Sequence, residues 1–191
     1  KGFAAAIIDT GVDGQHLAFQ GTVSGGFNPV FPSTGNFDTD SHGTAVAGIV
    51  HQIAPDAVIV PINTLGFITG AASVNEALYD SIDYVRDNPF VDDPRTPFIN
   101  ESVNDPSTPH DDRTRIVAAN MSLGIRFPDD PDNSLDSERD AFTVDQSAVI
   151  PFKSVFSTYR ELGIVPVAAA GNEGQLFNGM SGAIIPAILN E

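Results

Sequence analysis

Hydrophobic residues in this chain follow two spacings, one typical of strands and the other of helices. Four apolar runs of six or seven residues predict buried β-strands: 2–8, 57–62, 116–121 and 164–170. Three longer stretches repeat apolar residues at helical spacing and predict helices: 43–53, 74–85 and 144–162. Pro151 predicts a kink or an early break in the last helix, and a weaker strand interrupted by glycine is predicted at 22–27.

The order of these elements predicts an α/β fold. Strands that alternate with helices are joined by crossover connections, which make neighbouring strands parallel. The sequence therefore predicts a mostly parallel sheet with helices on both faces. A length of 191 residues suits one domain with a sizeable core.

Two segments interrupt the alternation and are predicted to be surface insertions. Residues 86–115 hold five prolines among many aspartates and show neither a helical nor a strand period, and residues 126–140 form a shorter acidic segment. Loops of such length are usually functional or disordered. A solvated insertion is the simplest interpretation, with a set of calcium ligands or a docking surface as the alternatives. The spacing matches no EF-hand loop.

The composition excludes some classes of partner. With 9 basic and 25 acidic residues the net charge is −16, so we expect no nucleic-acid partner, which would require a basic surface. No apolar run approaches the roughly 20 residues of a membrane-spanning helix, so no membrane span is expected. The chain has no cysteine, which leaves its compartment open. It starts at Lys1 without a signal peptide, so we expect a processed or trimmed piece.

The first candidate for chemistry is His42. A polar turn precedes it and a run of small apolar residues follows it, which places the imidazole in the first turn of a buried helix. Glycines in this helix would let other backbone approach closely. A histidine fixed in this way can act as a general base near neutral pH. Asp38 and Asp40 are expected to shape the turn before His42 rather than to bind a metal ion.

A carboxylate partner for His42 is expected from Asp9, at the carboxyl end of the first predicted strand. Active sites of α/β sheets collect at that edge. Two further strands end there in polar residues and glycines, at 120–124 and 168–174. Gly171 permits close approach of a ligand backbone, and Asn172 offers the amide donor that an oxyanion intermediate requires.

Four blocks of this sequence together resemble the subtilisin-like serine proteases, the subtilases of peptidase family S8. They occur in the family's order and are 9–13, 42–48, 120–124 and 168–174. The resemblance covers most of the chain, from residue 2 to about 186. It implies a subtilisin-like three-layer sandwich, of which residues 1–191 would be the N-terminal and central part and therefore incomplete.

The resemblance implies a serine endopeptidase that hydrolyses peptide bonds through an acyl-enzyme. Asp9 would orient the imidazole, His42 would transfer the serine proton, and Asn172 would bind the oxyanion. A substrate peptide would lie between two edge segments by strand addition. The residues implied in substrate binding are Ser122, Leu123, Gly124, Ala169, Ala170, Gly171 and Gly70.

The main departure from the family concerns the nucleophile. The family's serine stands in a Gly-Thr-Ser motif at the start of a helix, and this chain has no such motif. The serine is therefore expected beyond Glu191, and the chain alone is not expected to catalyse the reaction. Expected partners are a peptide or protein substrate, the protein's own prosegment, and a C-terminal fragment that carries the serine. The alternative is a catalytically inactive peptide-binding domain of the same fold.

Cofactors and location follow only from the resemblance. The implied reaction requires no cofactor, and no metal ligand is predicted. A structural calcium ion is allowed for, but the sequence locates no site, and between Val50 and Pro55 the chain lacks the loop that wraps a tight calcium ion in several relatives. The family implies an extracellular or cell-surface location. Two rival classes are disfavoured: nucleotide-binding proteins by the missing phosphate loop, and metallohydrolases by the ligand spacing.

Overall fold

The structure is a computed structural model, and it describes residues 2–19, 21–29, 38, 40–64, 71–95, 114–123 and 146–169. Several predicted features lie outside these residues. They are the insertion interior at 96–113, the whole segment 126–140, and the site residues Gly70, Gly124, Ala170, Gly171 and Asn172.

Nine elements make up the described part of the chain. The strands are β1 (Phe3–Asp9), β2 (Val58–Asn63), β3 (Phe90–Val91), β4 (Thr114–Met121) and β5 (Val165–Ala168). The helices are α1 (His42–Ile53), α2 (Ala71–Asp87) and α3 (Gln146–Glu161), with a short 3-10 helix at Leu17–Phe19. The four principal strands and the three helices predicted from the apolar pattern are all present.

The strands form one sheet in which β1 lies between β2 and β4, and β5 lies on the far side of β4. These four strands are parallel, and only the two-residue β3 is antiparallel, against the start of β4. The register pairs Asp9 with Asn63 and Met121 with Ala168, so the carboxyl ends meet at one edge. The predicted mostly parallel α/β fold is confirmed.

Alternation along the strands builds one hydrophobic layer on each face of the sheet. Ile8 and Ile62 are fully buried on one face, together with residues of α2 and α3. On the other face, Ile7 and Ile59 pack with Phe19 and with Ala47 of α1. Since successive strand residues point to opposite faces, β1 and β2 are covered on both sides, as predicted.

Residues 22–27 were expected to form a strand, and the structure shows less regular pairing. Val23 and Phe27 make isolated parallel bridges to Ile59 and Ile62 along the outer edge of β2. Gly25 and Gly26 lie between the two bridges. Glycine loses more conformational entropy than other residues when it is fixed in a strand and has no side chain to pack, which explains why the pairing is interrupted here.

The prediction of irregular structure for 86–115 is wrong at both ends. Helix α2 continues to Asp87, β3 follows at Phe90–Val91, and β4 begins at Thr114. Pairing with the start of β4 creates β3, and a two-residue strand is too short to show a period.

Two further expectations fail for reasons of packing. The early break at Pro151 is wrong, since α3 continues through this residue; proline removes only one backbone donor, and Val155 and Tyr159 in the following turns are buried in the core. The kink at Pro151 stays a prediction. Strand β5 was expected to be buried, yet Val165 is 60% and Val167 46% exposed. In the described sheet β5 is the outer strand and pairs with β4 on one side only.

Tyr159 provides a test of the packing between α2 and α3. Its ring is fully buried, and its hydroxyl donates a hydrogen bond of 2.7 Å to the Ile82 carbonyl. Burial raises the pKa of Tyr159, so the hydroxyl remains a donor at all ordinary pH values.

We expect Tyr159→Phe to lower the free energy of unfolding by about 1 kcal/mol, because it removes only the hydrogen bond. Tyr159→Ala should cost about 3–5 kcal/mol through the cavity it leaves. Urea unfolding of both variants measures the difference, and equal losses would contradict a core position for the ring.

Candidate active site

Asp9 is the last residue of β1 and is held by the sheet. Its backbone carbonyl accepts a hydrogen bond of 2.8 Å from the Thr64 amide, which follows β2. The residue is 0% exposed. Its carboxylate oxygen Oδ1 accepts the Thr10 amide at 2.8 Å. A buried carboxylate requires such donors, since it has lost its hydration.

His42 is the first residue of α1 and contacts this carboxylate directly. The distance between His42 Nδ1 and Asp9 Oδ1 is 2.7 Å, and the His42 side chain is 50% exposed. An ionised carboxylate only accepts hydrogen bonds, so the proton of this contact belongs to Nδ1. The nitrogen left for proton exchange is therefore Nε2. The structure thus confirms the expected pairing of these two side chains.

The electrostatics of the pair favour the protonated imidazole. The hydrogen bond to Asp9 raises the pKa of His42 above its ordinary value of 6.5, and burial opposes this only in part. The negative charges of Asp9, Asp40 and Asp38 act in the same direction as the hydrogen bond. A proton taken up by His42 is therefore stabilised in place.

Asp38 forms the turn that leads into α1. Its side chain accepts the backbone amides of Asp40 at 3.1 Å, Ser41 at 2.9 Å and Thr44 at 2.8 Å. Ser41 stands at the usual capping position, but it has a φ of 74° and its side chain makes no capping bond. Asp38 takes over the capping role, and its bonds to Asp40 and Ser41 confirm that it shapes the turn before His42. Burial acts to raise the pKa of Asp38, but hydrogen bonds to its carboxylate lower it. The largest of these contributions comes from the Thr44 hydroxyl, which also contacts Asp38.

Close approach of backbone at Gly43 is also confirmed. A Cβ atom on Gly43 would lie 2.0 Å from the Gly11 carbonyl oxygen and 3.2 Å from the Asp9 Cβ. Gly11 itself has a φ of 99°, a conformation that favours glycine. Only a residue without a side chain lets α1 come this near to the end of β1.

Some of the residues implied in substrate binding can be placed at the same edge. The Ala169 amide donates to the Met121 carbonyl at 3.1 Å, which continues the β4–β5 pairing beyond the strands. The Ser122 hydroxyl accepts a bond of 2.9 Å from Asn120. Leu123 differs, since its side chain is 6% exposed and belongs to the core.

The other histidines that the structure describes contact an aromatic ring. His16 and His51 pack edge-on against the buried ring of Phe19, with centroid distances of 5.9 and 5.7 Å.

Among the described residues, no three His, Asp or Glu side chains are grouped so that they could hold a metal ion. The allowance for calcium stays a prediction. Within the same residues, no helix has the length and apolar character needed to span a membrane.

The family model of the subtilases matches residues 1–187. The chain belongs to the subtilase family.

Individual relatives of this subtilase are distant. A subtilisin-like protease of Coccidioides posadasii (strain C735) is 28% identical over 187 residues, which cover 90% of this chain and 43% of that protein. Fervidolysin of Fervidobacterium pennivorans is 39% identical over 71 residues, or 30% of this chain and 10% of that protein. The crystal structure of a lanthipeptide protease matches with a TM-score of 0.61 at 19% identity, covering 98% of this chain and 46% of that chain. The last match shows the fold. This subtilase chain spans less than half the length of each relative.

Sequence reasoning assigned no role to the hydroxyls of Thr10 and Thr44. Thr10 donates to Asp38 at 2.8 Å, and the Thr44 hydroxyl also contacts that carboxylate. Both threonines lie close in sequence to a predicted catalytic residue. Thr10 directly follows Asp9, and Thr44 is two residues after His42. This closeness in sequence was the one indication that the two hydroxyls contribute to the site.

Gly43 and Gly48 lie in the same helix and make a matched pair for mutation. We expect Gly43→Ala to lower the free energy of unfolding by about 1–3 kcal/mol, because the new methyl group meets backbone that cannot move aside. A Cβ atom on Gly48 would meet no neighbouring segment within 4 Å, so Gly48→Ala should raise stability by about 0.5–1 kcal/mol through helix propensity. Chemical unfolding measures both, and a neutral Gly43→Ala would contradict the close approach.

Proposed function

We propose that this subtilase is a serine endopeptidase that works through an acyl-enzyme. The proposal is carried by one observation: a fully buried Asp9 carboxylate lies 2.7 Å from a half-exposed His42 imidazole. In such a pair the Nε2 atom of the imidazole can accept a proton while the Nδ1 atom stays hydrogen-bonded to the carboxylate. Membership of the subtilase family supplies the reaction class.

In the proposed mechanism His42 Nε2 removes the proton of a serine hydroxyl as the oxygen attacks the peptide carbonyl carbon. The imidazolium that forms is stabilised by the Asp9 carboxylate. His42 then gives the proton to the leaving amine nitrogen as the C–N bond breaks. Water repeats the sequence on the acyl-enzyme and releases the acid.

We propose that the serine comes from a part of the protein outside residues 1–191. Asn172 would donate to the oxyanion. The segment 122–124 would pair with the substrate backbone, and residues 169–171 and Gly70 would complete the binding groove. Ser122 directly follows β4, which pairs with β1, and Ala169 directly follows β5, which pairs with β4. Both therefore lie at the edge of the sheet where Asp9 ends β1, which supports this arrangement. Leu123 would take part through its backbone, since its side chain is in the core.

The substrate class and surroundings are proposed on the family alone. The substrate would be a peptide or protein, the prosegment a further partner, and the location extracellular or at the cell surface. A net charge of −16 is compatible with an exported, soluble surface. No cofactor enters the proposed reaction, and calcium would act only as a structural ion.

Labelling of the native protein with a fluorophosphonate tests the proposal. We expect one serine to react, and His42→Ala to abolish the reaction because the serine loses its base. Asp9→Asn should slow labelling by about 10⁴-fold, the scale known for this change in a serine-protease triad. His51→Gln is the control on the same helix and should label normally. Absence of label on the unmutated protein would favour the inactive peptide-binding domain.

The pH dependence provides a separate test. Catalysis needs neutral His42, so kcat/KM should rise with pH through a pKa above 6.5. The Asp9–His42 bond contributes stability that is fully present below pH 6.5 and is lost as pH rises through the raised pKa.

Asp9→Asn should move the pKa of His42 downward, because it removes the largest cause of the rise. Titration of the His42 ring protons by NMR measures this shift in both proteins. An unmutated pKa at or below 6.5, or an unchanged pKa in the variant, would contradict the electrostatic account.

A further inference from the structure

The residues that follow Asp9 and His42 are hydrogen-bonded to each other. The Gly43 amide donates to Thr10 Oγ1 at 2.9 Å, and this bond is buried. It runs beside the Asp9–His42 contact, one residue further along each segment. A second bond joins the same two segments, from the Asp13 amide to Thr44 Oγ1 at 2.9 Å. Each threonine thus accepts an amide from the segment of the other.

Both threonine hydroxyls are oriented by one carboxylate. Thr10 donates to Asp38 Oδ1 at 2.8 Å, and Thr44 donates to Asp38 Oδ2. A hydroxyl has one proton, so a proton committed to Asp38 leaves the lone pairs free for the amide. Asp38 and Thr10 are each 8% exposed, which shields the bond between them from water, whereas the bonds of Thr44 are part-buried. We call these five residues the reciprocal clasp: Thr10, Asp13, Asp38, Gly43 and Thr44.

The Asp9–His42 bond alone does not fix how α1 lies against the end of β1, and the clasp adds that restraint. His42 is 50% exposed, so water competes for its ring nitrogens. Two bonds of the clasp, from the Gly43 amide to Thr10 and from Thr10 to Asp38, are buried, and there hydrogen bonds are stronger and less easily exchanged. The clasp joins the end of β1 to the first turn of α1 at two points, which fixes both the separation and the rotation of these segments.

We propose that Thr10 and Asp38 are positioning residues, which hold His42 Nδ1 on Asp9 Oδ1 by locking the end of β1 to the first turn of α1. This inference rests on the proposed function, because it assigns a catalytic consequence to the alignment. A displacement of about 1 Å at a reacting group can cost about 10²-fold in rate. A hydroxyl at residue 10 would thus be needed for full turnover, because it aligns His42 with Asp9.

The deciding experiment compares Thr10→Val with Thr10→Ser in the native protein. Valine keeps the shape and removes the hydroxyl, whereas serine keeps the hydroxyl. We expect Thr10→Val to lower kcat by about 10²-fold with KM changed less than about 2-fold, and Thr10→Ser to stay within a few-fold of the unmutated protein. A purely structural residue would lower the folded fraction instead, and active-site titration corrects for that fraction.

Asp38→Asn supplies a second arm. One acceptor oxygen becomes a donor, so at least one threonine hydroxyl loses its partner. We expect a loss in kcat at least as large as that of Thr10→Val. The double variant should be no slower than Asp38→Asn alone, because both changes break the same link. Should Asp38→Asn fail to fold, the Thr10 pair still decides.

A spectroscopic readout separates this inference from the proposed function. The proton on His42 Nδ1 should give a low-field NMR signal in the unmutated protein and in Thr10→Ser, and should exchange too fast to be seen in Thr10→Val. An unchanged signal and unchanged kcat in folded Thr10→Val would overturn the positioning role. If the unmutated protein neither labels nor hydrolyses peptides, the proposed function fails, and the NMR comparison still tests the clasp.

Discussion

A single hydrogen bond between a buried carboxylate and a half-exposed imidazole is the constraint on which this site depends. His42 Nδ1 reaches Asp9 Oδ1 at 2.7 Å only if α1 begins directly against the end of β1. Gly43 permits that approach, because a side chain there would collide with the Gly11 carbonyl. The parallel sheet supplies the other half of the geometry, since it holds Asp9 between two neighbouring strands.

Hydrophobic burial and polar contacts have different effects at this edge of the sheet. The apolar layer that contains Ile7 and Ala47 brings β1 and α1 together, but burial is non-directional and does not set their register. Directional bonds around Asp38 set it, with each oxygen of that carboxylate serving one threonine. The hydrogen bond to Asp9, with the charge of that carboxylate in addition, stabilises a proton on His42 and raises the pKa of the imidazole. The geometry and the electrostatics thus both support the proton-transfer role proposed for this pair.

Local sequence predicted the features that depend on short-range pattern. The apolar period located the principal strands and helices, and the turn before His42 pointed to Asp38. The contact between Asp9 and His42, 33 positions apart, was expected because a strand end and a helix start converge at one edge of the sheet. No local pattern indicated the contact between Thr10 and Asp38, 28 positions apart, and only the folded register shows that their side chains meet. The exposure of β5 also depends on its place in the sheet, as does the pairing that creates β3. The roles of Asn172 and of the remaining groove residues stay predictions.

The most direct test of the account is a crystal structure of the native protein after reaction with a fluorophosphonate. We predict a covalent adduct on one serine whose Oγ lies about 2.6–3.2 Å from His42 Nε2, with Nδ1 still on Asp9 Oδ1. An adduct remote from His42, or an imidazole turned away from Asp9 in the adduct, would contradict the claim that this pair activates the nucleophile.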